Sequence, residues 1–307
     1  MTFVYFAQIF TILYVLAEWY VLQALSKTEI QGFHGEFYDT MNILFAWSGD
    51  LNKLGPAIYA VINNHPNRHV SFYIATIHKK LLPEYRKHFY NRPIHNVRFY
   101  IETYKPQYLT PKVFLIDFNT YIRLLFPNAH PELERFLHLD GDAIVAQNID
   151  EMYDYDFKNK SGVVVTDIMD KIEGFENYFN AGVTLFNSWK YVRENYLRQA
   201  EDYLKWLNKN RTFWFNDQTV LNKLFEHSKV IFPQDYNEYN LTDYKNTTKI
   251  VHFYLYTFCK PYKADCKNNT IPHQLWRCYY DAYKNLPDLW RDRRDTIICR
   301  DLLPPSN

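Results

Sequence analysis

From position 41 the chain alternates short apolar runs with longer stretches whose apolar residues recur at helical spacing. Asn42-Ile-Leu-Phe-Ala46 is a buried-strand run that breaks at the turn Trp47-Ser-Gly-Asp50. Leu54, Ile58, Val61 and Ile62 then share one helical face, which predicts a helix over 53–64. Strands are predicted at 70–75 and 97–101, with a helix over 81–90 between them. A helix opens over 120–125, strands follow at 136–139, 162–166 and 182–186, a long helix covers 189–208, and a late strand lies at 250–253. Strand–helix–strand units of this length predict an α/β fold, a mainly parallel sheet with helices on its faces. Ligands of such sheets bind beyond the carboxyl ends of the strands. The Ser48–Asp50 turn and the segment Asp140–Asp142 are two such ends. No repeat, low-complexity block or linker interrupts residues 41–260.

The run Phe136-Leu-His-Leu-Asp140-Gly141-Asp142 carries the most chemistry. Alternate strand residues point to one face, so Asp140 and Asp142 can aim two carboxylates at one point. Gly141 lets the backbone turn between them without a Cβ clash. Paired hard oxygen ligands suit Mg²⁺ or Mn²⁺, ions that share their ligands with substrate phosphates. On the residues alone, two solvated acids on a loop explain the same tripeptide.

Composition narrows the class. The formal net charge is +1, with no basic run, which excludes a nucleic-acid footprint. Aromatic content of 19% suits stacking on sugar rings, but an AT-rich coding bias produces it without function. Cys259, Cys266, Cys278 and Cys299 all lie late and form no C-x-x-C, so they read as two disulfides or as four buried thiols rather than as a zinc site. Residues 3–25 are mostly apolar and about as long as the ~20 residues of a membrane span, although Gln8, Thr11 and Glu18 interrupt them. A membrane anchor, a cleaved signal peptide and a soluble appended helix all fit this stretch. Sequons at Asn159, Asn210, Asn240, Asn246 and Asn268 favour a lumenal domain, membrane-associated or in a secretory pathway. The expected organisation is an N-terminal segment over 1–40, a catalytic domain over 41–263 and a Cys- and aromatic-rich tail over 264–307.

Five local motifs occur in an order that resembles the retaining glycosyltransferases of family 8, the group of glycogenin and bacterial lipopolysaccharide galactosyltransferases. They are Asn119-Thr-Tyr-Ile-Arg123-Leu, the Asp140–Asp142 strand, Val164-Val-Thr-Asp167, Tyr178-Phe-Asn180-Ala-Gly182-Val-Thr-Leu-Phe-Asn187, and Asn216-Asp217-Gln218-x-x-Leu221-Asn222. The resemblance implies a GT-A glycosyltransferase fold, a Rossmann-like mixed sheet flanked by helices. It also implies a UDP-sugar donor, Mn²⁺ with Mg²⁺ as an alternative, and a glycan, protein or lipid acceptor. Two departures stand out. The family's H-F-x-G-x-x-K-P-W reads here His252-Phe-Tyr-Leu-Tyr-Thr-Phe-Cys-Lys260-Pro-Tyr, two residues longer and without the glycine. The first turn lacks the family's early acid and its later tyrosine.

The resemblance assigns the metal to Asp140, Asp142 and His252. It places Ala46, Asp50, Arg123, Asp140, Gly141, Asp167 and Lys260 around the donor, and Asn180, Asp217 and Gln218 at the reacting sugar. Each residue has a plainer reading. Arg123 serves equally as a structural ion pair, Asp217 as the N-cap of a helix over 218–225, His252 as a buried strand end, and Lys260 as a surface charge. An amide is a poor nucleophile, so Gln218 points to front-face retention, with Asp217 as the alternative nucleophile. The altered His252–Lys260 segment also fits an inactive family member that acts as a binding partner.

Overall fold

The computed structural model describes residues 40–90, 94, 96–105, 118–167, 174–210, 216–242, 244–254, 259–263, 266–284, 299 and 302. The apolar stretch at 3–25 lies outside them. Among the described residues no helix is long and apolar enough to cross a membrane.

The α/β expectation holds. Strands β1 (Thr40–Ala46), β2 (His69–Thr76), β3 (Val97–Thr103), β4 (Arg135–Leu139), β6 (Gly162–Thr166), β7 (Phe179–Asn187) and β8 (Lys229–Ile231) form a seven-stranded sheet in the order β3-β2-β1-β4-β7-β6-β8. All pairings are parallel except those of β7, which runs against both β4 and β6. A second, two-stranded sheet pairs β5 (Ala143–Val145) with β9 (Ile250–His252). The helices are α1 (Leu51–Asn64), α2 (Leu82–Tyr90), α3 (Ile122–Ala129), α4 (Asp150–Tyr153), α5 (Ser188–Arg193), α6 (Tyr196–Asn210), α7 (Asn216–Leu224) and α8 (Ile271–Lys284).

Strand alternation divides the core between the two faces of the sheet. Ile43 and Phe45 of β1, with Val70, Phe72 and Ile74 of β2, meet α1, α2 and α8. Leu44, Tyr73 and Ala75 turn to the other face and meet α3, α5, α6 and α7. The 189–208 stretch is two helices rather than one, because Asn195 takes a left-handed φ of 53° that asparagine tolerates. The tail also differs from the appendage its composition suggests. Within it, α8 contributes Leu275, Trp276, Tyr279 and Tyr283 to the same core. It approaches α1 so closely that a Cβ on Gly55 would stand 2.2 Å from the Tyr283 ring. The cysteines form two disulfides, Cys259–Cys266 and Cys278–Cys299.

Candidate metal and donor site

The carboxyl ends of β4 and β6, the start of the reversed β7, the first turn of α7 and the end of β9 converge at one end of the central strands. The Asp140 N–H pairs with the Gly182 carbonyl at 2.8 Å, and Ala143 of β5 sits opposite His252 of β9. The result brings Asp140, Asp142 and His252 together, their ligand atoms all within 4.8 Å of one another. His252 Nε2 lies 3.2 Å from Asp142 Oδ1 and 3.6 Å from Asp140 Oδ2. The imidazole is buried, whereas the Asp140 side chain is still 34% open to solvent.

The pairing of β6 with β7 explains how these groups are aimed. Its register jumps from Val164↔Thr184 to Val165↔Asn180, so Ala181–Val183 are extra residues on β7. Such a bulge bends a strand and re-aims its side chains. Gly182 sits at this bend under the ligand cluster. A Cβ there would stand 2.3 Å from His252 Cε1 and 2.6 Å from Asp140 Oδ2. The missing side chain leaves a cradle, and its donors are two carboxylates and an imidazole, a set that suits Mn²⁺. The residues present therefore fit a divalent cation.

Surrounding groups fix the charge state of the cradle. Burial raises the Asp140 carboxyl, but Arg123, His138 and His252 outweigh it and hold the group far below the usual carboxylate range. Burial likewise raises Asp142, and His252 and Lys260 bring it down. His138, fully buried, is driven to about 4 by burial, with Arg123 acting in the same direction. It is thus a neutral ring whose Nε2–H donates to Asp140 Oδ1 at 3.1 Å, while Nδ1 meets no partner. On the other ligand, His252 Nδ1 pairs with Asn237 Oδ1 at 3.0 Å, which fixes the ring with Nε2 facing the two carboxylates.

Arg123 is the buried ion pair that the plainer reading expected. It donates to Asp140 Oδ1 at 3.0 Å and to the Ala181 carbonyl at 2.6 Å, and its Nε lies 3.2 Å from Asp217 Oδ2. Asp217 sits inside the first turn of α7 rather than at its cap, and burial pushes its carboxyl up against the opposing pull of Arg123. Gln218 Oε1 accepts from the Ala181 N–H at 3.0 Å, and its Nε2 donates to Asp167 Oδ2 at 3.0 Å. Asn180 donates to Asp167 at 3.3 Å, while its own Oδ1 accepts from Gly182 N–H and Asn237 Nδ2. Asp167, Asn180, Gln218 and Asn237 thus form one buried amide–carboxylate network beside the cradle. Lys260 places its ammonium on Asp142 Oδ2 and the Phe253 carbonyl.

Three expected donor contacts take other forms. Asp50 is exposed and caps α1, accepting from Asn52 N–H at 2.9 Å, so its carboxylate is engaged locally. Ala46 is the last, half-buried residue of β1, packed on the α3 side. Gly141 has an ordinary negative φ, so no left-handed turn demands it. Its Cβ would instead lie 2.4 Å from the Trp47 ring, which packs directly on the turn. Sequence reasoning passed over Asn237 and His138. Asn237 sits in a loop with no local pattern, and only its distance to His252 identifies it. His138 precedes Asp140 by two and could have been found as a same-face neighbour.

The family model for glycosyl transferase family 8 matches residues 12–264. Glycosyltransferase GlyA of Streptococcus pneumoniae is 27% identical over 175 residues, which cover 54% of this chain and 24% of that protein. The lipopolysaccharide 1,2-glucosyltransferase of Escherichia coli is 26% identical over 214 residues, 65% of this chain and 62% of that one. The chain thus spans less than two thirds of the length of these relatives. Among solved structures, the galactosyltransferase LgtC in complex with donor and acceptor sugar analogues superposes with a TM-score of 0.62 at 20% identity, covering 82% of this chain and 100% of that one. Mouse xyloside xylosyltransferase 1 superposes with a TM-score of 0.51 at 12% identity, covering 69% and 97%. At these identities the likeness establishes the fold, GT-A, and the match to the family model establishes the rest: the chain belongs to glycosyl transferase family 8.

Proposed function

We propose that the protein is a retaining glycosyltransferase that moves glucose, galactose or xylose from a UDP-sugar to an acceptor hydroxyl, with Mn²⁺ or Mg²⁺ at Asp140, Asp142 and His252. The observation that carries this reading is the cluster of three ligand atoms within 4.8 Å above a glycine whose side chain would fill the space. A divalent cation there supplies charge neutralisation for the departing diphosphate. Lys260 adds a second positive charge beside Asp142. Asp167, Asn180 and Gln218 offer directional donors and acceptors that read sugar hydroxyls.

Retention through two inversions needs a carboxylate nucleophile behind the sugar. Gln218 is an amide held at both ends by Ala181 and Asp167, and Asp217 is engaged by Arg123. This arrangement favours front-face substitution. The acceptor oxygen bonds to the anomeric carbon on the side from which the phosphate leaves, and the leaving phosphate oxygen takes the acceptor proton. Arg123 acts as the brace that holds Asp140, Asp217 and the bulge carbonyl in register. The two disulfides and the exposed sequons Asn240 and Asn268 support an oxidising compartment, the secretory lumen if the cell is eukaryotic. The acceptor is a glycan, a protein or a lipid-linked sugar.

The test incubates the full chain with Mn²⁺ and a panel of UDP-glucose, UDP-galactose and UDP-xylose, and follows UDP release with and without EDTA. EDTA-sensitive release from one donor is the expected result and names the sugar. A folded protein that binds UDP and Mn²⁺ yet releases nothing with any donor or added acceptor would instead be an inactive family member serving as a binding partner.

A further inference from the structure

The sequence between His252 and Lys260 contains no glycine, and Lys260 itself lies outside the helices and strands. After β9 the Phe253 N–H donates to the Asp142 carbonyl at 3.1 Å, and the lysine ammonium later returns to that same Phe253 carbonyl and to the Asp142 carboxylate. A long flexible side chain on a free loop loses both backbone and rotamer freedom when it docks. Something must have ordered the backbone beforehand.

Three restraints meet there. Cys259, the residue before Lys260, is bonded to Cys266, which closes a short loop with the Cα atoms 5.3 Å apart. The Cys259 carbonyl accepts from His273 Nε2 at 2.9 Å. Between the cysteines, Lys263 N–H returns to the Lys260 carbonyl and Cys266 N–H to the Lys263 carbonyl, each at 3.0 Å. His273 is itself immobilised. It is fully buried in α8, its Nδ1 pairs with Thr270 Oγ1 at 2.7 Å, and its ring meets Phe253 edge-on at 5.1 Å. The closely docked α8 thus connects the core to Lys260, whose ammonium touches the Asp142 carboxylate.

We propose that the Cys259–Cys266 disulfide and His273 are a positioning device for Lys260, holding its ammonium ready for the diphosphate of a nucleotide donor. The proposal rests on the reading of this end of the sheet as a UDP-sugar site. The device does not touch the donor and acts only through the lysine. Its signature is therefore non-additivity, which a disulfide that merely stabilised the fold would not produce.

The experiment is a calorimetric titration of the full chain with UDP in the presence of Mn²⁺. The variants are Lys260→Ala, the pair Cys259→Ser with Cys266→Ser, the three changes combined, and the pair Cys278→Ser with Cys299→Ser. Loss of one charge-assisted phosphate contact is expected to weaken UDP binding about tenfold in Lys260→Ala. The Cys259/Cys266 variant should fall by a similar factor, the triple variant no further than Lys260→Ala alone, and the Cys278/Cys299 variant not at all. Should the first cysteine variant fail to fold, His273→Phe removes the carbonyl restraint with the disulfide intact, and its loss should likewise vanish in the Lys260→Ala background. Wild-type affinity in the first cysteine variant, or losses that multiply in the triple variant, would overturn the device and leave the site reading standing. A wild type that binds no UDP with Mn²⁺ would overturn both.

Discussion

Strands β2 and β7 are buried along nearly their whole length, yet their burial serves different ends. In β2 the buried side chains are mainly apolar and aromatic, Val70, Phe72, Tyr73, Ile74 and Ala75, with only the small hydroxyls of Ser71 and Thr76 among them. Phe72 stacks between Phe45 and Phe99 at 6.1 and 5.5 Å, and Tyr73 stacks on Tyr100 at 4.7 Å, all in unbroken parallel register. In β7 the register breaks at the bulge, and the buried residues there include Asn180 and Gly182, which are poor strand formers. Buried polar groups are costly unless each finds a partner. Those of β7 do, through Asp167, Gln218, Asn222 and Asn237. One half of the sheet holds the fold, and the other holds a polar constellation that packing alone would not select.

The sharpest way to break this comparison is a pair of substitutions. Asp140→Asn removes one charge from the cradle and leaves the shape, so glycosyl transfer should fall by about a thousandfold or more, near ~4 kcal/mol of transition-state stabilisation, with little change in Tm. Phe72→Ala should do the reverse, costing about 3–5 kcal/mol of stability while activity per folded molecule is retained. Activity assays paired with thermal unfolding decide the matter. An active Asp140→Asn enzyme would remove the cation from the proposed mechanism.

A finer cut lies within the polar half. Asn237 fixes the ring of His252 through its Oδ1 and donates from its Nδ2 to Asn180 at 3.1 Å. Groups that hydrogen-bond to a metal ligand are typically worth about 10–100-fold in metal affinity. Asn237→Leu should weaken Mn²⁺ binding by that order, read by titration calorimetry without any donor. Asn237→Asp, which keeps an acceptor for the Nδ1–H, should restore most of it. Equal affinity in all three proteins would make Asn237 a packing residue.

The two halves also differ in how far the sequence revealed them. The strands of the packing half are mainly apolar and aromatic runs, broken only by single polar residues such as Ser71 and Arg98, and the predicted 70–75 and 97–101 lie inside β2 and β3. In β7 the predicted start at Gly182 is three residues late, because Asn180 in a buried strand breaks the apolar pattern that defines the others. The three-residue strands β5 and β8 are too short to show a period. α8 was hidden by the cysteines and aromatics of its segment, although its apolar residues do fall on one face. Asp140, Asp142 and His252 were legible because their spacing and order resemble a family's. For Asp50 the analogy points to a donor contact, while its place immediately before an apolar helical run is a cap signal, and the structure shows the cap. Asn237, the bulge, the disulfide pairing and the Arg123 brace depend on contacts between distant parts of the chain, which no local pattern encodes.

The smallest effect concerns a buried charge pair seated among the aromatics of the packing half. Glu102, near the end of β3, accepts from His130 Nε2 at 2.9 Å and from the Tyr104 hydroxyl at 2.8 Å, with His130 edge-on to Tyr73 at 5.0 Å. Burial lowers the His130 imidazole, but Glu102 and Glu132 outweigh it and the net displacement is upward. A raised folded-state value means that the protonated pair stabilises the fold fully below the ordinary histidine value of about 6.5. The contribution disappears as pH rises through the higher folded value. Tm should therefore decline as the pH is raised above neutrality. In His130→Gln that portion of the decline should vanish, while the pH profile of glycosyl transfer is unchanged, because the pair lies in the packing half. If the variant altered the activity profile and left the Tm slope intact, His130 would belong with the site, and the division of the sheet into a packing half and a chemical half would have to be redrawn at β3.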